Sequence, residues 1–265
     1  MPWTERQQAL LQAMSLRVWV LPDVEPAPPA ALMVESATEV AAEIATEVAT
    51  EVATAPQTIS PTARADLADL SALNWSALRD SVAACRACGL CESRTQTVFG
   101  VGHPRAHWMV VGEAPGEDED RQGEPFVGAS GQLLDRMLAA LQLSRSPGGA
   151  PERSVYIANT LKCRPPRNRN PSAEELALCE PFLVRQIELL QPRIILAMGR
   201  FAVQTLLRND APIGRLRGQV HRYQGVPLVV TYHPAYLLRS LGEKARAWED
   251  LCLAADTVQQ AAAVT

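Results

Sequence analysis

The residues best suited to chemistry lie in one glycine-rich, acidic stretch between positions 110 and 131. It reads Val110-Val-Gly-Glu-Ala-Pro-Gly-Glu-Asp-Glu-Asp120 and continues to Gly123-Glu-Pro-Phe-Val-Gly-Ala-Ser-Gly131. Its glycines and proline predict a tight loop after a short buried strand, because they disfavour further strand or helix. A ligand of an open α/β sheet binds at such a strand end. An ordinary strand-to-helix connection is the alternative, and the loop alone does not identify a chemistry.

Cysteines are the second group with chemical potential. Cys85 and Cys88 are separated by two residues, a spacing at which both thiolates can point at one metal centre. Cys91 repeats the spacing, but a ferredoxin-like run would then need a cysteine where the chain has Thr95. Further candidate ligands are Cys163 and Cys179, so the set must be assembled across the fold. Four thiolates are compatible with zinc and with an iron–sulfur cluster.

The charge of the chain is unevenly distributed. The net charge is −4, but residues 1–60 alone hold eight acidic and two basic residues, so the remainder is slightly basic. The segment Lys162-Cys-Arg-Pro-Pro-Arg-Asn-Arg169 has four cations and no anion. Such a cluster could follow a phosphate backbone, and a solvated surface is the equally good alternative.

The elements that must position these residues alternate between strands and helices. Apolar runs predict strands at 108–111, 155–159, 193–198 and 227–231, and a Gly-interrupted β-rich stretch at 214–223. Helices are predicted to begin near 130 and 172 and to cover 243–263. This alternation predicts a three-layer α/β/α sandwich with a mostly parallel central sheet. The acidic loop, Asn159, Gly199 and His233 each follow a strand, so we expect them to converge on one edge of that sheet.

The chain divides into three predicted parts. Residues 1–21 have helix-like apolar spacing and could dock a protein partner, residues 22–65 form an acidic low-complexity linker, and residues 66–265 form the folded domain. No apolar run reaches the roughly 18 residues that a membrane helix needs, and no signal sequence is recognisable. We therefore expect a cytoplasmic protein without membrane association, and a monomer.

Several motifs in order resemble the family 4, iron–sulfur branch of the uracil-DNA glycosylases. They comprise Cys85-x2-Cys88, Gly112-Glu-Ala-Pro-Gly116, Gly123-Glu-Pro-Phe-Val-Gly128, Asn159-Thr-Leu-Lys-Cys-Arg-Pro-Pro166, Cys179, Leu216-Arg-Gly218 and His233-Pro-Ala-Tyr-Leu-Leu-Arg239. The resemblance covers about residues 83 to 255. It implies a DNA-repair enzyme that flips uracil out of single- or double-stranded DNA and hydrolyses its N-glycosidic bond, leaving an abasic site.

The resemblance also implies a [4Fe–4S] cluster held by Cys85, Cys88, Cys163 and Cys179. The implied role of the cluster is structural, because it pins the segment around Cys85 and the loop after Cys163 near the DNA. Cys91 is then a bystander.

Each implied site residue has a physical role. Phe126 stacks on the flipped uracil, and Asn159 accepts from N3–H and donates to O4, which discriminates against cytosine. His233 donates to O2 as negative charge develops on the leaving base. Glu113 stabilises an oxocarbenium-like transition state or positions water, or is purely structural.

The remaining implied residues line the pocket or contact DNA. Gly112 and Ala114 bind substrate, and Ala114 stands where other branches carry a catalytic Asp or Asn. The acidic loop, through Glu119 or its backbone, is the candidate for excluding thymine. Residues expected to contact DNA are Arg217, Gly218 and Arg239.

Two other functions remain compatible with the residues. One is a non-catalytic iron–sulfur DNA-binding module, although such a module would not need both Asn159 and His233. The other is a zinc-stabilised hydrolase that acts on nucleotides at the same loop.

Overall fold

The computed structural model describes residues 70–263. The predicted segments 1–21 and 22–65 lie outside the described residues, as do the first residues of the predicted domain 66–265. Six strands form one sheet: β1 (Val101–Gly102), β2 (Trp108–Gly112), β3 (Val155–Asn159), β4 (Ile194–Met198), β5 (Val220–Tyr223) and β6 (Val226–Thr231). The α-helices of the described residues are α1 (Trp75–Ala84), α2 (Leu90–Ser93), α3 (Glu117–Gln122), α4 (Ala129–Ala140), α5 (Ala173–Leu190), α6 (Arg200–Leu207), α7 (Ile213–Leu216), α8 (Pro234–Arg239) and α9 (Lys244–Ala263).

The sheet has parallel central strands and antiparallel edges. Its order is β1-β3-β2-β4-β6-β5. Strand β2 pairs in parallel with β3 and β4, and β4 pairs in parallel with β6, whereas β1 and β5 are antiparallel to their neighbours. Because parallel strands end at the same edge, the chain segments that follow β2, β3, β4 and β6 leave the sheet together.

Both faces of the sheet are covered. All five residues of β2, of β3 and of β4 are buried, as expected for parallel strands with helices on both sides. On one face, Met109 and Val111 pack in a cluster with Leu183 of α5 and Ala202 of α6. Helix α9 packs along β4, β5 and β6. The predicted α/β fold with a mostly parallel sheet is therefore confirmed.

Two predicted local structures differ from those observed. The acidic residues after Gly116, predicted to belong to a tight loop, form helix α3. Glu119 accepts the Gly116 N–H (3.0 Å), and the first-turn carboxylates face the positive end of the helix dipole. Residues 214–223, predicted to be β-rich throughout, begin with helix α7, and β5 starts only at Val220. Within residues 70–263, no helix is both long and apolar enough to span a membrane.

Candidate active site

Two strand ends place the central residues of the site side by side. Gly112 at the end of β2 is in register with Asn159 at the end of β3. On the other side of β2, Met198 of β4 is paired with Thr231 of β6, which lies two residues before His233. The predicted convergence of the acidic loop, Asn159 and His233 on one edge is therefore present.

These residues enclose a cavity of about 190 Å³. Its walls contain six of the seven residues for which the sequence implied a catalytic or uracil-binding role: Glu113, Ala114, Glu119, Phe126, Asn159 and His233. The seventh residue, Gly112, lies directly behind the wall. A Cβ atom at Gly112 would stand 2.4 Å from Asn159 Oδ1 and 2.7 Å from Phe126 Cζ, so only glycine leaves room for both side chains.

Phe126 forms an aromatic wall of this cavity in a strained conformation. It is 5% exposed and adopts a left-handed φ of 57°, which is unfavourable for a residue with a side chain. The ring stacks against His233, with centroids 5.3 Å apart and planes inclined by 29°. The backbone of Phe126 also lies against Gly131, where a Cβ would meet the Phe126 carbonyl oxygen at 1.7 Å. Gly131 therefore permits this position of the ring.

Glu119 links the loop that ends at Gly116 to the loop that contains Val127 and Gly128. Its Oε2 accepts from the Gly116 N–H (3.0 Å), and its Oε1 accepts from the N–H groups of Val127 (3.1 Å) and Gly128 (3.4 Å). The carboxylate thus holds the residues immediately after Phe126. Glu119 lines the cavity, but its oxygens are committed to this backbone network, a role that the sequence analysis missed because it depends on long-range hydrogen bonds.

Asn159 presents an unsatisfied amide to the cavity. The residue is 2% exposed, and its Oδ1 has no hydrogen-bond partner among residues 70–263. A buried, unpaired amide oxygen costs about 1–3 kcal/mol, so such atoms are rare without a ligand or water to satisfy them. A ligand that carries an N–H donor would remove this cost.

His233 is held as a neutral hydrogen-bond donor. Its Nδ1 accepts from the Ala235 N–H (3.2 Å) at the start of α8, which leaves the ring proton on Nε2. Burial, with a smaller contribution from the positive charge of Arg239, lowers the pKa of His233 to about 4. At neutral pH the imidazole therefore carries no charge and can donate from Nε2.

Glu113 is partly buried between two strands and a basic side chain. Its backbone carbonyl accepts from the Leu161 N–H (3.1 Å) and from the Thr160 hydroxyl, so the loops after β2 and β3 fix its position. Burial raises the pKa of the Glu113 carboxyl, and the nearby Arg200 guanidinium acts in the opposite direction.

The residues expected to contact DNA separate into two groups. Arg239 lines a second cavity of about 640 Å³ that adjoins the first and shares Glu113 and His233 with it. Arg217 is instead committed to α9: its guanidinium lies 2.9 Å from Glu249 and 3.0 Å from Asp250. The Gly218 N–H also donates to Asp250 (3.1 Å). Neither Arg217 nor Gly218 lines the two cavities.

A loop after Cys163 forms a further wall of the first cavity. The sequence did not predict this wall. Pro165, Asn168 and Arg169 line the first cavity. Arg167 and Asn168 both adopt left-handed backbone angles, with φ of 55° and 56°. The sequence offered only one signal, the Pro165-Pro166 pair before a polar residue, which predicts a sharp turn but not its direction.

The five cysteines between 85 and 179 line a separate, largely apolar cavity beside the site. They are Cys85, Cys88, Cys91, Cys163 and Cys179. Arg94 Nη1 donates to Cys163 Sγ (2.9 Å), and the Lys162 N–H donates to Cys179 Sγ (3.3 Å). Burial raises the pKa of Cys88 to about 11 and that of Cys179 to about 12, so a bound cation is needed to ionise them at neutral pH.

The thiols surround this cavity and do not converge on one point. In the part of the chain that the structure describes, no three His, Cys, Asp or Glu side chains are close enough to hold a single metal ion. The cavity is lined by five thiols, and two of the sulfurs also accept hydrogen bonds. Thiols of this number have the chemistry that binds a group of several iron atoms.

Comparison with known proteins agrees with this site. Residues 99–252 match the model of the uracil DNA glycosylase superfamily. A type-4 uracil-DNA glycosylase of Archaeoglobus fulgidus is 44% identical over 165 residues, which cover 59% of this chain and 79% of the relative. The type-4 enzyme of Thermotoga maritima is 39% identical over 169 residues, covering 63% and 84%.

A more distant branch is similar over a shorter region. A type-5 uracil-DNA glycosylase of Pyrobaculum aerophilum is 36% identical over 146 residues, covering 51% of this chain and 64% of the relative. The matched region of the family model contains the whole of the first cavity, including the ends of β2, β3 and β6. The chain belongs to the uracil-DNA glycosylase superfamily.

Proposed function

We propose that this protein is a DNA-repair enzyme that removes uracil from DNA by hydrolysis of its N-glycosidic bond. The observation that carries the proposal is the buried side chain of Asn159: its Oδ1 has no partner among the described residues, and the residue lines the cavity together with Phe126 and His233. The names of the type-4 relatives specify the same activity.

Base recognition begins after uracil has left the helix, at a cost of a few kcal/mol. Phe126 offers a rigid face on which the flipped base stacks. Asn159 Oδ1 accepts from uracil N3–H, and its Nδ2 donates to O4. Cytosine presents the opposite pattern at these positions, so it would leave both groups of a buried amide unpaired. Discrimination of about 10⁴-fold is within reach of such a site.

Bond cleavage breaks the link between uracil N1 and the deoxyribose C1′. Water supplies the hydroxyl that C1′ gains and the proton that uracil finally carries. As the bond breaks, negative charge builds on uracil, and His233 Nε2–H donates to O2. The developing positive charge on the sugar is stabilised by the Glu113 carboxylate, by analogy with glycoside hydrolysis.

Thymine exclusion requires a rigid wall, because a pocket that merely fits a methyl group less well gains only about 1–3 kcal/mol. Glu119 supports such a wall: its three backbone hydrogen bonds fix both loops that flank the base. We propose that Glu119 acts by this rigidity. Ala114 contributes a small side chain where the sugar enters.

DNA contacts are assigned to the rim of the second cavity. Arg239 is exposed there and can reach a phosphate beside the flipped nucleotide. The backbone of Gly218 is a second proposed DNA contact. Arg217 orients this backbone, because Arg217 and Gly218 both donate hydrogen bonds to Asp250.

The thiols of the cysteine cavity are the ligands that a [4Fe–4S] cluster takes, and we assign such a cluster to Cys85, Cys88, Cys163 and Cys179, with Cys91 as a neighbour. When bound, such a cluster would supply a covalent link between three segments of the chain, those that contain Cys85 and Cys88, Cys163, and Cys179. The residues of this chain then hold the loop Pro165–Asn170 against the uracil cavity, because Cys163 lies two residues before that loop.

Loss of a ligand is expected to remove the cluster and to destabilise the fold. We expect Cys179→Ser to abolish broad absorbance near 400 nm, to lower bound iron to background and to reduce the melting temperature by about 5–10 °C. Cys252→Ser, outside the cavity, should change none of these, and Cys91→Ser should retain the iron. A colourless wild-type protein that contains stoichiometric zinc would contradict the assignment of an iron–sulfur cluster.

Gly112 is expected to be intolerant of even one methyl group. In Gly112→Ala, the new Cβ displaces Asn159 and Phe126 together, so the single-turnover rate of uracil excision should fall about 10- to 100-fold. Gly148→Ala is the matched control, because no atom lies within 4 Å of its Cβ. A Gly112→Ala enzyme with the wild-type rate would show that these two side chains do not form the pocket.

The function is tested with an oligonucleotide that carries one uracil. The purified protein is incubated with it, and abasic sites are then cleaved with alkali. Cutting of the uracil strand, without cutting of a thymine control, supports the proposal. Absence of cutting by a folded, iron-loaded protein refutes it and leaves the non-catalytic DNA-binding module as the better account.

Three wider assignments belong to the same proposal. Cys85, Cys88, Cys91, Cys163 and Cys179 form no disulfide with one another, as is usual in a reducing compartment, which supports a cytoplasmic location. We infer a monomer, since the cavity is built by one chain. The segment 1–21 is proposed to dock a partner, and deletion of residues 1–60 should then abolish partner binding without loss of excision.

A further inference from the structure

Lys162 is a charged side chain buried in the core, where the mechanism above gives it no task. It is 1% exposed and belongs to the largest fully buried side chains among the described residues. Its Nζ donates to the backbone carbonyl of Asn159 (2.7 Å) and to Gln186 Oε1 (2.7 Å). Both partners are neutral, so burial of this ammonium group costs free energy that an apolar side chain would avoid.

Lys162 contacts the backbone of Asn159, the residue proposed to recognise the base. The Thr160 N–H donates to the Gly112 carbonyl (3.0 Å), and Lys162 holds the Asn159 carbonyl. The peptide group that follows Asn159 is therefore fixed at both of its polar atoms. This restraint orients the Cα–Cβ bond of Asn159, and with it the amide that lines the cavity.

A second residue holds Lys162 in place. Gln186 of α5 is fully buried, and its Nε2 donates to the Phe99 carbonyl (2.9 Å) and to the Tyr156 hydroxyl (3.3 Å). The backbone of Lys162 is fixed as well: its N–H donates to Cys179 Sγ, and its carbonyl accepts from the Val98 N–H (2.8 Å). Lys162 thus connects helix α5 and the cysteine cavity to the end of β3.

We propose that Lys162 is a positioning residue for uracil recognition, which acts by fixing the Asn159 backbone so that its amide meets the N3–H and O4 edge of the base. The inference rests on the proposed function. It assigns to Lys162 a part in selecting the base, beyond any part it has in folding.

The test is a double-mutant cycle on base selection, measured by binding so that slow variants remain informative. The probe is a duplex with 2′-fluoro-deoxyuridine, whose glycosidic bond resists cleavage, compared with the same duplex carrying deoxycytidine, which presents the opposite hydrogen-bond pattern to Asn159. The iron-loaded wild-type protein is compared with Lys162→Met, with Asn159→Ala and with the double variant. Bound iron and melting temperature are recorded for each.

We expect Lys162→Met to lose about 10-fold of the preference for the uracil duplex, with unchanged affinity for the deoxycytidine duplex. In the Asn159→Ala background, Lys162→Met should cause no further loss, because its effect passes through Asn159. An equal loss in both backgrounds, or no loss at all, overturns the proposal.

A second variant keeps the proposal testable if Lys162→Met does not fold. Gln186→Met preserves the length of the side chain and removes one of the two acceptors of Lys162. We expect a loss of about 3-fold that also disappears in the Asn159→Ala background. If the wild-type protein itself shows neither uracil preference nor excision, the proposed function fails, which is distinct from failure of the role of Lys162.

Discussion

Replacement of Asn159 by alanine is expected to lower the single-turnover rate of uracil excision by about 10²- to 10³-fold. The variant loses an acceptor for N3–H and a donor for O4, and it leaves both of these uracil groups unpaired in a buried pocket. Since Asn159 is 2% exposed and already lacks a partner for Oδ1, truncation costs the free protein little. Nearly all of the loss should therefore fall on the bound states.

The control is Asn209→Ala, which removes an amide from an exposed loop where Oδ1 accepts only from the Ala211 N–H (2.8 Å). It should excise uracil at the wild-type rate. Both variants should bind uracil-free DNA as the wild type does. An Asn159→Ala protein within about 3-fold of the wild-type rate would show that base recognition lies elsewhere.

Removal of His233 is the second large effect. His233→Ala should reduce the excision rate by about 10²- to 10³-fold, the usual effect of losing one preorganised donor to a developing anion. Because the Ala235 N–H holds Nδ1, the donor is oriented before substrate arrives. The loss should appear in the rate at saturating enzyme, and affinity for the uncleavable uracil duplex should change less.

His103 provides a matched control. Its Nδ1 accepts a backbone N–H two residues on, from Arg105 (3.1 Å), in the same way as His233, but it does not line either cavity. His103→Ala should therefore retain the wild-type rate. A His233→Ala variant that loses only binding would assign this residue to DNA contact and not to leaving-group stabilisation.

The lowered pKa of His233 predicts the pH profile. The pKa of His233 is about 4, in place of the usual 6.5, so the imidazole is neutral between these two pH values. Protonation of His233 should therefore cause no loss of rate near pH 6.5. The acid limb is instead set by Glu113, whose pKa is raised by burial, because protonation removes the charge that stabilises the sugar cation. The acid limb of the single-turnover rate should therefore follow protonation of Glu113 and not protonation of His233.

The variant Glu113→Gln distinguishes the titration of Glu113 from that of His233. It should have a lower plateau, and its acid limb should move to lower pH, because only His233 then titrates. An acid limb near pH 6.5 that persists in Glu113→Gln would indicate a charged imidazole in the free enzyme and would contradict the neutral donor. An unchanged plateau in Glu113→Gln would assign Glu113 a structural role.

The sequence by itself determined the fold class and the family, and it predicted six of the residues that line the first cavity, but not Pro165, Asn168 and Arg169. Short apolar runs followed by glycine or by a polar residue predict buried parallel strands, and the carboxyl ends of such strands meet at one edge. This is why the sequence predicts that the acidic loop, Asn159 and His233 converge. The resemblance to family 4 uracil-DNA glycosylases was confirmed by the comparisons.

The tertiary structure decided what each polar group does. Glu119 binds three backbone amides, Arg217 pairs with helix α9 across 33 positions of sequence, and Lys162 reaches Gln186, 24 positions away. Local patterns report only propensity and periodicity, so they cannot reveal which distant partner satisfies a buried charge. The sequence thus predicted part of the cavity lining, and only the packing of the chain showed which side chains line the cavity and which hold others in place.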